Sequence, residues 1–321
     1  MPSRYEAPVD RNAANNAHAF MCDMVGWNKT VLELGAAAGH ITRALNDQGC
    51  RVTAIEYDQE AAVDLKRFAN EVIVGDLNDP NIFAGLPAQF DAVLAGDVLE
   101  HLINPQQALS RAALLLRPGG EVVVSLPHVG HVDVKLSLLQ GKFNYRQFGL
   151  LDATHLRFFT LKTVKELVKE SGLVMTDLRR VRVPAFETEQ AVDRSSVQNA
   201  VLEAALADPE AETYQFVFTA VKADGDYQTA RLAERNIELQ DDLSRANVAL
   251  LAAGSKYEAG ELETEKLRQV VKDERLRCAV LESQLGVTEA EVEALNGTKI
   301  MRYTKIMRNG YGRLRGRGPV A

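Results

Sequence analysis

The chain has 321 residues, 46% of them hydrophobic, a formal charge of −7 and only three cysteines. Cys22, Cys50 and Cys278 show neither metal nor disulfide spacing, which excludes a disulfide-stapled scaffold and suits a reducing compartment. No apolar run is long enough to span a bilayer and no secretory leader is read at the start, so a cytoplasmic protein is expected.

The first strong signal in chain order is Val31-Leu-Glu-Leu-Gly-Ala-Ala-Ala-Gly-His-Ile41. An apolar strand carrying Glu33 runs into a tight turn bracketed by Gly35 and Gly39, and a helical pattern begins at Ile41. Such a turn lets a ligand lie against bare backbone at a helix N-terminus. A dinucleotide loop would place further glycines at 37 and 40, but Ala37 and His40 stand there, which argues against NAD. Arg51–Asp58 is a second strand, ending in Glu56, Tyr57 and Asp58. Glu56 follows Gly35 by about twenty residues, where doubly wound nucleotide folds place a carboxylate for ribose hydroxyls. Glu71–Leu77 is a third strand and ends in Asp76. Phe90–His101 is a fourth, running through Asp97 and Glu100 into an expected helix. Leu116–Pro127 is a turn and a fifth strand, and Leu173–Val183 and Thr213–Lys222 are two more. Strands alternating with helical patterns give the expected class: α/β, a doubly wound, mostly parallel seven-stranded sheet. Ligands in such sheets bind beyond the carboxyl ends of the strands, where these acids fall.

Glu33-x-Gly35-x-x-x-Gly39 resembles motif I of the class I S-adenosylmethionine-dependent methyltransferases, with Ala37 in place of the family's central glycine. The resemblance covers about residues 12–222 and implies S-adenosylmethionine as cofactor. It implies that Gly35, Ala37 and Gly39 let the methionine moiety approach the backbone, with Glu33 orienting the loop or reaching the donor's amino group through water. Glu56, beside Tyr57, would accept from both ribose hydroxyls. Asp76 and Leu77 would meet the adenine edge, and Asp97 the methionyl ammonium. A second stretch, Gly149-Leu-Leu-Asp152-Ala-Thr-His155-Leu-Arg157-Phe-Phe-Thr160, resembles the acceptor-side segment of bacterial methyltransferases of surface-polysaccharide and glycan assembly.

Methyl transfer from a sulfonium needs alignment above all, and a hydroxyl acceptor must also lose a proton. Histidine suits that task, and four of the six histidines follow the fourth strand. His101 stands as a general base, one member of a metal site with Asp97 and Glu100, or a packing residue behind an Asp97–Glu100 capping box. No metal ligand set is assigned. His128 and His131 lie just past the fifth strand, in a loop that either faces the acceptor or is ordinary surface. By resemblance, His155 is the favoured base, Arg157 an orienting or phosphate-binding group, and Asp152 a brace of the pocket. The alternative for this stretch is structural: an Asp152–Arg157 pair and a helix capped by Thr160. The expected reaction is methylation of a hydroxyl on a sugar or lipid-linked glycan. Its rivals are a small-molecule or quinone O-methyltransferase and a scaffold that binds donor without turnover.

Charge divides the chain further, with −7 on residues 1–223, −7 on 224–298 and +7 on 299–321. The first range is the expected methyltransferase domain. In the second, one apolar seam runs through Leu232, Leu239, Ala246, Ala253, Leu267, Leu281 and Leu295, and another through Leu243, Leu250, Tyr257, Val271, Cys278, Leu285 and Val292. This heptad spacing predicts a coiled coil and a parallel homodimer, with Asn236 fixing register and Lys256–Glu261, Glu263–Arg268 and Arg277–Glu282 pairing across chains. The alternative is a helical hairpin bent near Gly254 and Gly260. The third range is a basic amphipathic tail fit for an anionic membrane surface or a membrane-bound partner, or else a frayed end. An acidic catalytic domain argues against nucleic acid.

Overall fold

The computed structural model describes residues 13–223, 227–259 and 264–315. The chain separates into two compact units between Asp224 and Gly225.

The first unit contains the seven strands β1 (Thr30–Leu34), β2 (Arg51–Glu56), β3 (Glu71–Val74), β4 (Phe90–Gly96), β5 (Leu116–Pro127), β6 (Leu173–Arg182) and β7 (Thr213–Lys222). They lie in the order β3-β2-β1-β4-β5-β7-β6. The pairs from β3 through β5 are parallel, and β7 runs antiparallel to both β5 and β6. The order reverses at β1–β4, so the crevice of a doubly wound sheet opens beyond the carboxyl ends of these two strands. β1 and β4 are buried almost throughout, as strands covered on both faces must be.

Among the described residues of this unit are seven α-helices: α1 (Ala17–Val25), α2 (His40–Asn46), α3 (Gln59–Leu65), α4 (Pro105–Leu114), α5 (Val132–Leu139), α6 (Leu161–Glu170) and α7 (Asn199–Leu206). Side chains fix several starts: Asn16 caps α1, Asp58 caps α3, and Thr160 with Thr163 forms a capping box on α6. On one face, Met21 and Val25 of α1 pack with Leu45, Val52, Leu94 and Val217 in the main core. Val132 and Leu136 of α5 build a smaller cluster with Val192, Val197 and Ala211.

The region after β4 differs from expectation. Asp97 takes a left-handed backbone (φ 50°), and only a single 3₁₀ turn, Leu99–His101, follows it without a side-chain cap. The longer helix, α4, starts at Pro105 with Asn104 as its cap. There is thus no Asp97–Glu100 capping box. Proline at the first helical position and a polar cap before it set the start seven residues later than the sequence pattern implied.

The second unit consists of α8 (Tyr227–Ala259) and α9 (Thr264–Arg315). They pack on each other within one chain: Leu239, Leu243 and Ala246 of α8 meet Cys278, Leu281 and Leu285 of α9. Asn247 Oδ1 lies 3.4 Å from Cys278 Sγ. These are members of both predicted seams, and within the chain they close as a helical hairpin. α8 ends at Ala259 and α9 begins at Thr264, so Gly254 lies inside α8, and Gly260 lies outside the described residues. Asn236 is buried on α8. Arg277 pairs with Glu274 on its own helix at 3.8 Å. The side chains of Lys256, Glu261 and Glu263 lie outside the described residues, as do those of the basic tail. α9 runs on through Lys299 without a break. Among the described residues no helix is long and apolar enough to cross a membrane.

Candidate active site

The carboxyl ends of β1, β2, β3 and β4 bring Gly35–Gly39, Glu56, Asp76 and Asp97 to one edge of the sheet. Gly35 (φ 66°) lies against β4's exit, and a Cβ there would sit 2.5 Å from Val98 Cγ2. Gly39 (φ 87°) lies against α3, where a Cβ would meet Leu65 Cδ1 at 3.0 Å. Both glycines therefore let the turn pack against the protein, and that packing lays the backbone of Ala36–Ala38 along the crevice. Ala37 adopts φ 46°, a strained value for alanine where the family's usual glycine is at ease. Glu56 compensates: its Oε2 accepts from Ala37 N at 2.7 Å, and its Oε1 accepts from Asp58 N at 2.8 Å. One carboxylate thus ties the motif I turn to the end of β2.

Glu33 is buried, and its Oε2 accepts from Thr42 Oγ1 at 2.6 Å, linking β1 to α2 beneath the turn. Burial pushes its carboxyl up to about 7, against the Thr42 bond and helped by the neighbouring Glu56 charge. Asp76 is exposed and folds an Asx turn onto Asn78 N at 2.8 Å, and Leu77 beside it is buried. Tyr57 is 73% exposed beyond β2. The Asp97 carboxylate accepts from Ser125 Oγ at 2.8 Å and from the Gln215 side-chain amide, which fixes it at the junction of β4, β5 and β7. S-adenosylmethionine presents an ammonium, two ribose hydroxyls and an exocyclic amine, all hydrogen-bond donors. An edge of carboxylates over a turn with little side chain fits that set. Glu56 would receive the ribose, Asp97 the ammonium side and Asp76–Leu77 the adenine. When bound, this group supplies the electrophilic methyl.

Residues 149–160 fold back over the end of β4. Leu156 N and Arg157 N both donate to the Glu100 carbonyl, at 2.8 and 2.9 Å. His155 is thereby brought beside Glu100 and His101: its Nε2 lies 4.0 Å from Glu100 Oε1, and its ring meets His101 edge-on with centroids 4.9 Å apart. Burial and the His101 charge push His155 below the usual histidine range, opposed by Asp152. Glu100 is 1% exposed, and burial with Asp97 and Asp152 nearby drives its carboxyl well above the ordinary value. Asp152 Oδ1 accepts from Thr154 N and Oγ1, at 2.8 and 2.6 Å, and Thr154 O accepts the contact of His101 Nδ1 at 3.2 Å. These Thr154 bonds hold the Asp152 carboxyl below its usual value despite burial. Arg157 donates to the Ile103 and Leu156 carbonyls, at 2.6 and 3.4 Å.

The other two histidines take structural positions. His128 is 3% exposed, with its ring tilted against Phe216 (centroids 4.8 Å) and over Gly130, where a Cβ would lie 2.5 Å from its Cε1. Burial lowers it to about 4. His131 caps α5: its Nδ1 accepts from Asp133 N at 3.1 Å, and its Nε2 contacts Val183 O at 2.9 Å. Neither ring points to the Glu100–His101–His155 cluster.

Two residues that hold the segments around this site, Asp133 and Glu189, carry no local sequence signal. Asp133 is fully buried and accepts from Phe186 N, Thr188 N and Thr188 Oγ1. Glu189 accepts from Leu150 N at 2.7 Å and from Tyr214 Oη at 3.0 Å, pinning the 149–160 segment to β7. Gly149 (φ 90°) is obligatory because a Cβ would overlap the Glu189 carboxylate.

A donor edge of this form on this sheet defines a class of group-transfer enzyme. The chain belongs to the family described as Methyltransferase domain, whose profile matches residues 1–178, and it is an S-adenosylmethionine-dependent methyltransferase. Among curated relatives, the ubiquinone biosynthesis O-methyltransferase of Dechloromonas aromatica is 29% identical over 101 residues, 30% of this chain but only 44% of that protein. A protein of Mycolicibacterium smegmatis, named "Probable S-adenosylmethionine-dependent methyltransferase", is 28% identical over 220 residues, 67% of this chain and 79% of its own length. Among solved structures, the 1,6-didemethyltoxoflavin-N1-methyltransferase of Burkholderia thailandensis, holding its substrate and S-adenosylhomocysteine, superimposes with a TM-score of 0.44 at 23% identity. That alignment covers 67% of this chain and 80% of the other.

Proposed function

We propose that the chain transfers the methyl group of S-adenosylmethionine to a hydroxyl acceptor seated between the donor edge and the Glu100–His101–His155 cluster. The observation that supports this reading is the turn after β4, where Asp97 stands at the strand-end edge and Glu100–His101 stand against residues 149–160, within five residues of chain. In-line displacement then needs only alignment, which is worth about 7–11 kcal/mol in favourable cases. The acceptor hydroxyl loses its proton on the side of this cluster.

The acceptor class we favour is a sugar or lipid-linked glycan hydroxyl, from the likeness of Gly149–Thr160 to glycan-assembly methyltransferases. A phenolic quinone precursor is the second reading. It is supported by the names of curated relatives and by the exposed apolar groups Ile103, Phe143, Tyr145, Phe148 and Leu156 on the segments around the cluster. Radiolabelled methyl transfer assayed against nucleotide sugars, lipid-linked glycans and polyprenyl catechols separates them. Transfer to catechols alone removes the glycan reading, and transfer to amines or carbon alone removes hydroxyl chemistry. The basic tail suggests a peripheral role at an anionic membrane surface, tested by sedimentation with anionic vesicles.

A further inference from the structure

The cluster on the acceptor side has a property that methyl transfer to a hydroxyl does not itself require. Glu100 is 1% exposed, and its Oε2 has no hydrogen-bond partner. Apart from a hydrogen bond that Glu100's own backbone N–H gives its carboxylate, what stands beside Oε1 is His155 Nε2 at 4.0 Å. A buried carboxylate normally collects donors or a cation, because leaving it bare costs several kcal/mol. What faces it is two imidazoles, with one ligand atom each from Glu100, His101 and His155 all within 4.8 Å of one another.

The surroundings set these groups up as ligands. His101 Nδ1 contacts Thr154 O and Thr154 Oγ1, both at 3.2 Å, which leaves Nε2 as its ligating nitrogen. Asp152 holds Thr154 in place through two bonds to its Oδ1. This carboxylate–threonine–histidine relay is the kind of outer support that fixes a metal-bound imidazole. The double bond from Leu156 N and Arg157 N to the Glu100 carbonyl fixes the two chain segments relative to each other.

We propose that Glu100, His101 and His155 form a binding site for one divalent transition-metal ion, which seats the acceptor oxygen. This deepens the acceptor side of the function proposed above and rests on that reading for its role, though not for the binding itself. Two imidazoles and one carboxylate suit Zn²⁺, Mn²⁺ or Co²⁺ better than Mg²⁺. Metal–ligand bonds of about 2.0–2.2 Å need the three ligand atoms to draw together by about an ångström, a side-chain adjustment. Three protein ligands leave positions open for the acceptor. The ion lowers the pKa of the bound hydroxyl, whose proton passes to water. The oxygen then forms its bond to the methyl carbon as the carbon–sulfur bond breaks, and the sulfonium becomes a neutral thioether. No redox change occurs. In the sequence the residues nearest to a metal set are Asp97, Glu100 and His101. The fold turns Asp97 toward Ser125 and Gln215 and brings in His155 instead.

The test uses the full chain, stripped with chelator and titrated with Co²⁺ by calorimetry and visible absorption, with Zn²⁺ displacement as a check. One ion per chain is expected, with nitrogen-ligand absorption bands. Glu100→Gln and His155→Ala should each weaken Co²⁺ affinity at least 10-fold while leaving S-adenosylhomocysteine affinity within 2-fold. Thermal melting identifies a variant that has failed to fold, and the nearly isosteric Glu100→Gln then carries the test. Absence of stoichiometric binding, or binding unchanged in both variants, overturns the site. Full methyl transfer in chelator together with no bound ion sinks this proposal and leaves the hydroxyl methyltransferase reading intact. Stoichiometric binding without transfer to any hydroxyl acceptor does the reverse.

Discussion

Glu33→Gln offers a direct measure of how dry the floor of the donor site is. Glu33 is buried under the motif I turn, bonded to Thr42, and its carboxyl is pushed up to about 7 by burial from an ordinary 4.5. Below about pH 4.5 the side chain is protonated in folded and unfolded chains alike, and it adds no pH dependence. Between 4.5 and 7 the unfolded chain gives up its proton while the fold retains it, so stability falls as pH rises. Above 7 both states are ionised and the loss levels off. A shift of this size corresponds to about 3 kcal/mol at 1.36 kcal/mol per unit. Glutamine copies the shape, keeps an oxygen for Thr42 and cannot ionise. The stability difference between variant and parent should therefore move by about 2–3 kcal/mol in the variant's favour between pH 4.5 and 8. Using the change in that difference removes any constant packing cost of the amide. Urea unfolding followed by Trp27 emission is the assay, since this only tryptophan lies in the first unit just before β1. Parallel stability curves for the two proteins across that pH range would refute the burial argument.

Other outcomes follow from the same geometry. Glu56→Ala should weaken S-adenosylhomocysteine binding in calorimetry by about 1.5–3 kcal/mol for each ribose bond lost, and it also frees Ala37 N; unchanged affinity removes Glu56 from the donor site. Gly149→Ala should lower stability by at least about 2 kcal/mol, combining left-handed strain with loss of the Glu189–Leu150 bond; an unaltered melting temperature contradicts the close approach. The hairpin buries its seam within one chain, so light scattering should give a monomeric mass at micromolar concentration, whereas a dimer would mean that α8 and α9 pair between chains.

The ordered strand ends were legible because a strand covered on both faces must be a continuous apolar run, and the acids that stop each run need solvent or a ligand. Gly35, Glu56, Asp76 and Asp97 could therefore be placed on one edge from local pattern alone. Local pattern also gave the Thr160 cap, since capping is decided within four residues of chain. It could not tell whether Asp97–His101 continues as a helix, because the left-handed turn at Asp97 is held by Ser125 and Gln215, far away in sequence. Nor could it choose between a two-chain coil and a hairpin, as heptad spacing describes which stripe must be buried and is silent on what buries it. The histidines show the same division. Their number and their place after β4 are plain in the sequence, but only the return of residues 149–160 over Glu100 brings His155 and His101 together. The same packing commits His128 to Phe216 and His131 to the start of α5. Residue type and spacing thus determined the sheet and its donor edge, whereas contacts between segments about fifty residues apart decided which side chains share the buried, low-dielectric corner where their chemistry is altered.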